Sequence, residues 1–294
     1  MVGPNKPINT NEFFVLCVNS LGSCFGSTSP ISINPETDEP YRLSFPVLSV
    51  EDIANAANEL LKKLNIGIVH AVIGPSMGGM SALSFCQLHP GKAKRLISIS
   101  SAARSSPFSI ALRSLQREII RSDTSWENGD YDLKGDGPIS GMRLARKLGM
   151  ISYRSAKEWS ERFGRERAME KDLKSGAFGV DFEIESYLES HANKFIGAFD
   201  PNCYLYLSRA MDLFDASDPD GNLENSFKHL RLEEALIIGV ETDLLFPISQ
   251  QSELAEALEN YVNKVSLVRL NSLQGHDSFL VDMDRFRPVI SSFI

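Results

Sequence analysis

A chain of 294 residues is long enough for one large α/β domain with an insertion, or for two domains, and can bury a sizeable core. With 43% hydrophobic and 23% charged residues it has a globular make-up, and a formal net charge of −8 argues against broad attraction to nucleic acid or an anionic membrane. Met1 to Asn11 is polar, no run approaches the ~18 apolar residues of a membrane span, and Cys17, Cys24, Cys86 and Cys203 lack C-x-x-C spacing, so a cytoplasmic protein without a disulfide framework or zinc site is expected.

The first strand is predicted over Phe13 to Val18, followed by a Gly/Ser-rich stretch (Asn19 to Ser29) and a polar, Pro-rich loop to Pro46. Ser49-Val50-Glu51-Asp52 reads as a helix cap, the hydroxyl accepting backbone N–H bonds and the acids favoured by the helix dipole. Ile53, Ala56, Leu60, Leu61 and Leu64 then recur on one helical face.

An apolar run, Ile68 to Ile73, leads into Gly74-Pro75-Ser76-Met77-Gly78 and a helix-like run, Met80 to Leu88. This strand-turn-helix context makes the pentapeptide a nucleophile elbow, whose sharp bend needs small residues two before and two after the serine. Ser76 Oγ then stands at a helix N-terminus, where free N–H groups favour negative charge, and the Met77 N–H is the expected oxyanion donor. A strand over Arg95 to Ser100 follows, and the alternation predicts an α/β fold with a mostly parallel, doubly wound sheet.

From 102 to 233 the pattern changes to helical patches with interleaved charges and aromatics, which reads as a helical cap inserted into a core made of 1–101 and 234–294. Regular order returns with a strand over Ala235 to Val240, a helix near Gln250 to Tyr261, a strand over Val265 to Leu270 and a terminal helix from about Met283.

An elbow serine needs a base, and its partners belong at the carboxyl ends of later strands in the order Ser, acid, His. Asp243 follows the strand ending at Val240, and His276 follows the strand ending at Leu270. His276 is expected to take and return the serine proton, with Asp243 fixing its tautomer. His70, His89, His191 and His229 sit in strand, helix or loop contexts that suit structural roles, and no His/Asp/Glu spacing matches a metal site.

Asn19-Ser20-Leu21-Gly22-Ser23-Cys24, Gly26-Ser27-Thr28, Ser32-Ile33-Asn34-Pro35-Glu36-Thr37, the elbow through Met80, and Gly275-His276-Asp277-Ser278-Phe279-Leu280 together resemble the homoserine O-acetyltransferase family of α/β-hydrolase-fold acyltransferases, over essentially the whole chain. The stretches Phe108 to Glu118 and Asp200 to Arg209 look most like its serine O-succinyltransferase branch. The resemblance implies a ping-pong transfer through acyl-Ser76, with an acyl-CoA co-substrate, no bound cofactor, and a homodimer. It also implies that Arg146 grips the acceptor's carboxylate and Asp277 its ammonium group. In the succinyl-like stretch, Arg113 is the expected reader of the donor's terminal carboxylate, since a buried anion needs a cation and a guanidinium can satisfy both oxygens.

One departure stands out. Only one predicted strand precedes the nucleophile strand, where this fold places about four, including the one whose loop gives the second oxyanion-hole N–H. The missing strand is expected between Phe13 to Val18 and Ile68 to Ile73, leaving a poorly stable and at most weakly active chain. Serine with succinyl-CoA is the leading substrate pair, ahead of homoserine with succinyl- or acetyl-CoA in methionine synthesis; a plain esterase or thioesterase and a noncatalytic remnant are the alternatives from other classes.

Overall fold

The structure, a computed structural model, describes residues 1–169, 178–217 and 219–294. Little regular structure forms at the amino terminus: β1 (Val2–Gly3) pairs in parallel with β2 (Ile8–Asn9), and β3 (Ile33–Asn34) pairs antiparallel with β4 (Glu39–Pro40). Phe13 to Val18, expected as a strand, is not one. Among the described residues its apolar run has no ladder partner, the Phe13 N–H turns back to Asn9 C=O at 2.9 Å and Phe14 is 79% exposed, so an extended segment has no reason to persist as sheet.

Helix α1 (Val50–Lys63) begins at the capping box expected from the sequence. The Ser49 hydroxyl accepts from Asp52 N–H at 3.1 Å, and Asp52 Oδ2 accepts from Ser49 N–H at 2.9 Å. Four strands then make one parallel sheet in the order β5 (Val69–Pro75), β6 (Ala93–Ile99), β7 (Glu234–Val240), β8 (Lys264–Leu270). Helices α2 (Met77–Leu88) and α9 (Ile248–Glu259) serve as crossovers, and the short α10 (Ser278–Val281) and α11 (Met283–Phe293) close the chain.

The alternation along the central strands assigns the faces. Leu96, Ala235 and Ile237 join the apolar cluster built with α1, α2 and α9, whereas Ile97, Ile99, Leu236, Ile238 and Val240 pack with Phe286 and Ile290 of α11. Burial on both faces is why these strands read as unbroken apolar runs in the sequence. The sheet's flank is different: β5 pairs only with β6 among the described residues, and most of its residues are half-buried.

Between β6 and β7 the chain leaves the sheet and forms α3 (Pro107–Ser122), α4 (Ile139–Tyr153), α5 (Ala156–Phe163), α6 (Glu183–Phe195), α7 (Pro201–Leu213) and the short α8 (Leu223–Ser226). The insertion has an apolar centre of its own in Ile120, Trp126, Tyr131, Met142, Ala145 and Leu205. Its two ends are joined by an Arg104–Asp215 bridge and by Ala216 N–H donating to Ala103 C=O at 2.8 Å. Its last part returns to the main core, where Phe214, Leu223, Phe227 and Leu230 share the cluster of α2 and α9. Among the described residues no helix is long and apolar enough to cross a membrane.

Candidate active site

The elbow forces Ser76 into φ 53°, ψ −123° at the tip between β5 and α2. A non-glycine residue at positive φ carries a backbone cost that the surrounding packing must offset. The close approach here is at Gly74: an added Cβ would lie 2.0 Å from the carbonyl oxygen of Gly78. At Gly79 it would meet Ser101 Cβ at 2.5 Å, whereas at Gly78, expected from the sequence to be the small residue on the far side, it would meet only Pro75 Cδ at 3.3 Å. Met77 opens α2, so its N–H precedes the helix's own hydrogen-bond ladder and is free for an anion beside Ser76.

Ser76 and His276 stand 200 residues apart in sequence, yet His276 Nε2 lies 2.9 Å from Ser76 Oγ. On the other side of the ring, Nδ1 lies 2.8 Å from Asp243 Oδ2. An ionised carboxylate only accepts, so Nδ1 carries the hydrogen and Nε2 presents a lone pair to the serine hydroxyl. Asp243 is fixed in turn: its Oδ1 accepts from Leu245 N–H at 2.9 Å and Phe246 N–H at 3.0 Å. Phe246, stacked at 5.2 Å, and Phe279, edge-on at 5.4 Å, enclose the imidazole. All three groups lie just past the carboxyl ends of β5, β7 and β8, where a parallel sheet exposes its loops.

The insertion brings a first group of charges beside this array. Arg146 of α4, Arg154 just after α4, and Asp277 line a cavity of about 60 Å³ with Met150, Trp159 and Tyr187. Arg146 lies over the Phe195 ring at 4.8 Å and over Tyr153 at 6.0 Å, and its buried Nε has no hydrogen-bond partner among the described residues. Asp277 Oδ2 pairs with Arg154 Nε at 3.1 Å. Burial pushes the Asp277 carboxyl above its ordinary pKa, with Arg154, His276 and Arg146 pulling the other way. The Tyr153 phenol is likewise pushed up by burial and stays protonated, a neutral neighbour of the imidazole at 5.9 Å between ring centroids.

A second group holds Arg113, which is not among the residues lining that cavity. Arg113 Nε pairs with Asp212 Oδ1 at 2.6 Å, one of its terminal nitrogens donates to Ser105 Oγ at 2.5 Å, and Arg117 takes Asp212 Oδ2 at 2.6 Å. Burial drives the Tyr204 phenol far up in pKa, against pulls from Arg146, Arg113 and Arg117, so this tyrosine sits between the two groups electrostatically.

The structure brings together Ser76, Asp243 and His276, which the sequence singled out, and sets Arg146 and Asp277, singled out by the family resemblance, on one cavity. The sequence did not single out Arg154, Asp212, Tyr153 or Tyr204, of which only Tyr204 lies in a stretch that carries the resemblance; their placement comes from helix packing in the insertion. A larger cavity, about 410 Å³, is lined by Phe25, Tyr131, Asp132, Asp136 and Phe199 but by none of Ser76, Asp243 and His276. No group of three or more His, Cys, Asp or Glu suited to a metal occurs among the described residues.

A family profile described as alpha/beta hydrolase fold matches residues 5–282. A relative in Litchfieldella anticariensis named serine O-succinyltransferase is 53% identical over 295 residues, covering 100% of this chain and 80% of its own length. An L-serine/homoserine O-acetyltransferase of Streptomyces lavendulae is 53% identical over 298 residues, covering 100% and 79%. Among solved structures, homoserine O-acetyltransferase from Bacillus anthracis superposes with a TM-score of 0.87 at 26% identity, over 99% of this chain and 79% of that one. The esterase E22 L374D mutant gives the same TM-score at 30% identity, over 99% and 80%.

Proposed function

Since the chain belongs to the alpha/beta hydrolase fold family, and relatives 53% identical to it carry O-acyltransferase names, we propose that it transfers a succinyl group from succinyl-CoA to the hydroxyl of L-serine through an ester on Ser76. The observation that carries this reading is a serine hydrogen-bonded to His276, with Asp277 and Arg146 on the cavity next to it. Ser76 Oγ attacks the thioester carbonyl as its proton passes to His276 Nε2; the C–S bond breaks and CoA leaves with that proton. The acceptor hydroxyl then gives its proton to His276 and attacks the ester carbonyl, and Ser76 regains the proton as O-succinylserine departs. The Met77 N–H stabilises the oxyanion of each tetrahedral intermediate.

The two charge groups match the two substrates. Arg113 and Arg117 against Asp212 leave one net positive charge, which a terminal carboxylate on the donor completes. Arg146 takes the acceptor's carboxylate and Asp277 its ammonium group, the two charges that every free amino acid displays. A simple esterase has no use for either group. The product is a serine whose β-oxygen has become a leaving group, the form that a sulfur nucleophile can displace in cysteine synthesis.

Mixing the protein with succinyl-CoA, with no amino acid present, should release CoA and add one succinyl group to the intact mass, and Ser76→Ala should show neither. Turnover in that variant should fall by a factor on the order of 10⁴ or more. An active wild-type protein that never carries the adduct would overturn the covalent route. A preference for acetyl-CoA would move the donor to the acetyl class, and equal acid release with and without serine would favour hydrolysis.

A further inference from the structure

The loop carrying His276 is held from one place in the insertion, the turn between α4 and α5. Ser155 Oγ donates to Leu273 C=O at 2.5 Å. Gly275 sits so close to this turn that an added Cβ would lie 2.6 Å from Tyr153 C=O and 3.0 Å from Arg154 C, at a φ of +60°. Arg154 makes the remaining ties: a terminal nitrogen donates to Gln274 Oε1, and Nε pairs with Asp277 Oδ2 at 3.1 Å. The same guanidinium is braced from behind by Glu158 Oε1 at 3.1 Å, and Glu158 is itself buried. Arg154 therefore spans both flanks of His276, touching the residue two before it and the residue one after.

We propose that Arg154 is a positioning residue for the second half of the reaction, holding the Asp277 carboxylate aimed so that the acceptor's ammonium group can pair with it. This rests on the acyl-transfer reading above. A lone carboxylate in so buried a place is driven toward its neutral form, which cannot hold an ammonium ion. Arg154 offsets that cost while engaging Oδ2, so the second carboxylate oxygen lies outside this ion pair. Because its guanidinium also lines the cavity, Arg154 repels a cation placed anywhere except on the Asp277 carboxylate, which confines where the acceptor's amine can sit. Lysine keeps the charge but cannot span Gln274, Asp277 and Glu158 with a planar fork.

The test uses the whole chain and separates the two half-reactions. In Arg154→Gln, the KM for L-serine should rise roughly tenfold or more, a larger loss than that in the rate of CoA release on mixing with succinyl-CoA, which falls only as far as the loop carrying His276 loses its tie to Gln274. Arg154→Lys should recover part of the serine KM. Arg154→Gln combined with Asp277→Asn should be no worse than Asp277→Asn alone, because both changes disable one contact. An unchanged serine KM in Arg154→Gln, or an equal loss of CoA release and serine use in both Arg154 variants, overturns the proposal. Wild-type protein that releases no CoA at all defeats the acyl-transfer reading itself, a result distinct from either of those. Should Arg154→Gln fold poorly, the Lys variant and its serine KM carry the same decision.

Discussion

Two arginine groups sit in the insertion, and they are saturated to different degrees. In the group on α3 and α7, both oxygens of Asp212 are taken, one by Arg113 and one by Arg117, and the side chains of Arg113 and Asp212 are 9% and 7% exposed. In the group around the α4–α5 turn, Asp277 is held by Arg154 through one oxygen, and Arg146 has no ion pair among the described residues and a buried, unpartnered Nε. A saturated carboxylate is a structural counter-ion: it keeps two cations together and leaves a surplus positive charge for one further anion. A half-used carboxylate facing an unpaired guanidinium keeps capacity for a molecule with both charges, as the proposed acceptor has. A count of ion pairs therefore says less about function than the lone pairs and N–H groups that the pairs leave over.

Asp212→Asn probes the saturated group most severely. It strands two guanidinium groups with one neutral partner, and the loss from breaking a buried pair is about 3 kcal/mol or more. Urea denaturation should show a fall of that size at neutral pH. Wild-type stability in this variant would break the contrast, because the group would then be held by packing alone.

Arg146→Ala should do the opposite, leaving the fold nearly untouched while removing a charged hydrogen bond to the acceptor. The kcat/KM for L-serine should drop by about 10²-fold, the worth of such a bond, with formation of acyl-Ser76 comparatively intact. Equal losses in both half-reactions would mean that Arg146 supports the cap rather than the acceptor.

The smallest effect is expected at Asp277, and its sign sharpens the contrast. The folded carboxyl titrates above its ordinary value of 3.8, so the native state binds a proton more readily than the unfolded chain. Its contribution to stability is then present below the ordinary value and is lost as pH rises through the raised one. Asp277→Asn should therefore melt higher than wild type at pH values above that window, and the gap should close as the pH falls toward 3.8. A lower melting temperature at neutral pH would show that the Arg154 pair outweighs the burial of the charge. Serine use should fall in the same variant, so stability and activity move in opposite directions at this position.

Much of the core was legible in the sequence because its signals are local. The Ser49 cap, the apolar face of α1, the elbow glycine at 74 and the runs that became β6, β7 and β8 each depend on neighbours within a few residues. Their boundaries fell within a few residues of expectation, as with α2, which begins at Met77 where the run of apolar residues suggested Met80. Phe13 to Val18 failed for the converse reason. A strand is completed by another strand, and an apolar run carries no information about whether a partner edge is there to receive it.

Residue type, order and spacing by themselves singled out Ser76, Asp243 and His276, since the elbow is a local steric requirement and the other two follow from where parallel strands end. Tertiary structure alone decided what surrounds them. Arg113 and Asp212 are 99 residues apart and meet where α3 and α7 of the insertion face each other, and Arg154 and Asp277 are 123 apart and meet where the α4–α5 turn reaches the loop after β8. No periodicity encodes such a meeting. The free energy of a charge depends on which charges and dipoles share its low-dielectric surroundings, and only the folded chain fixes those distances.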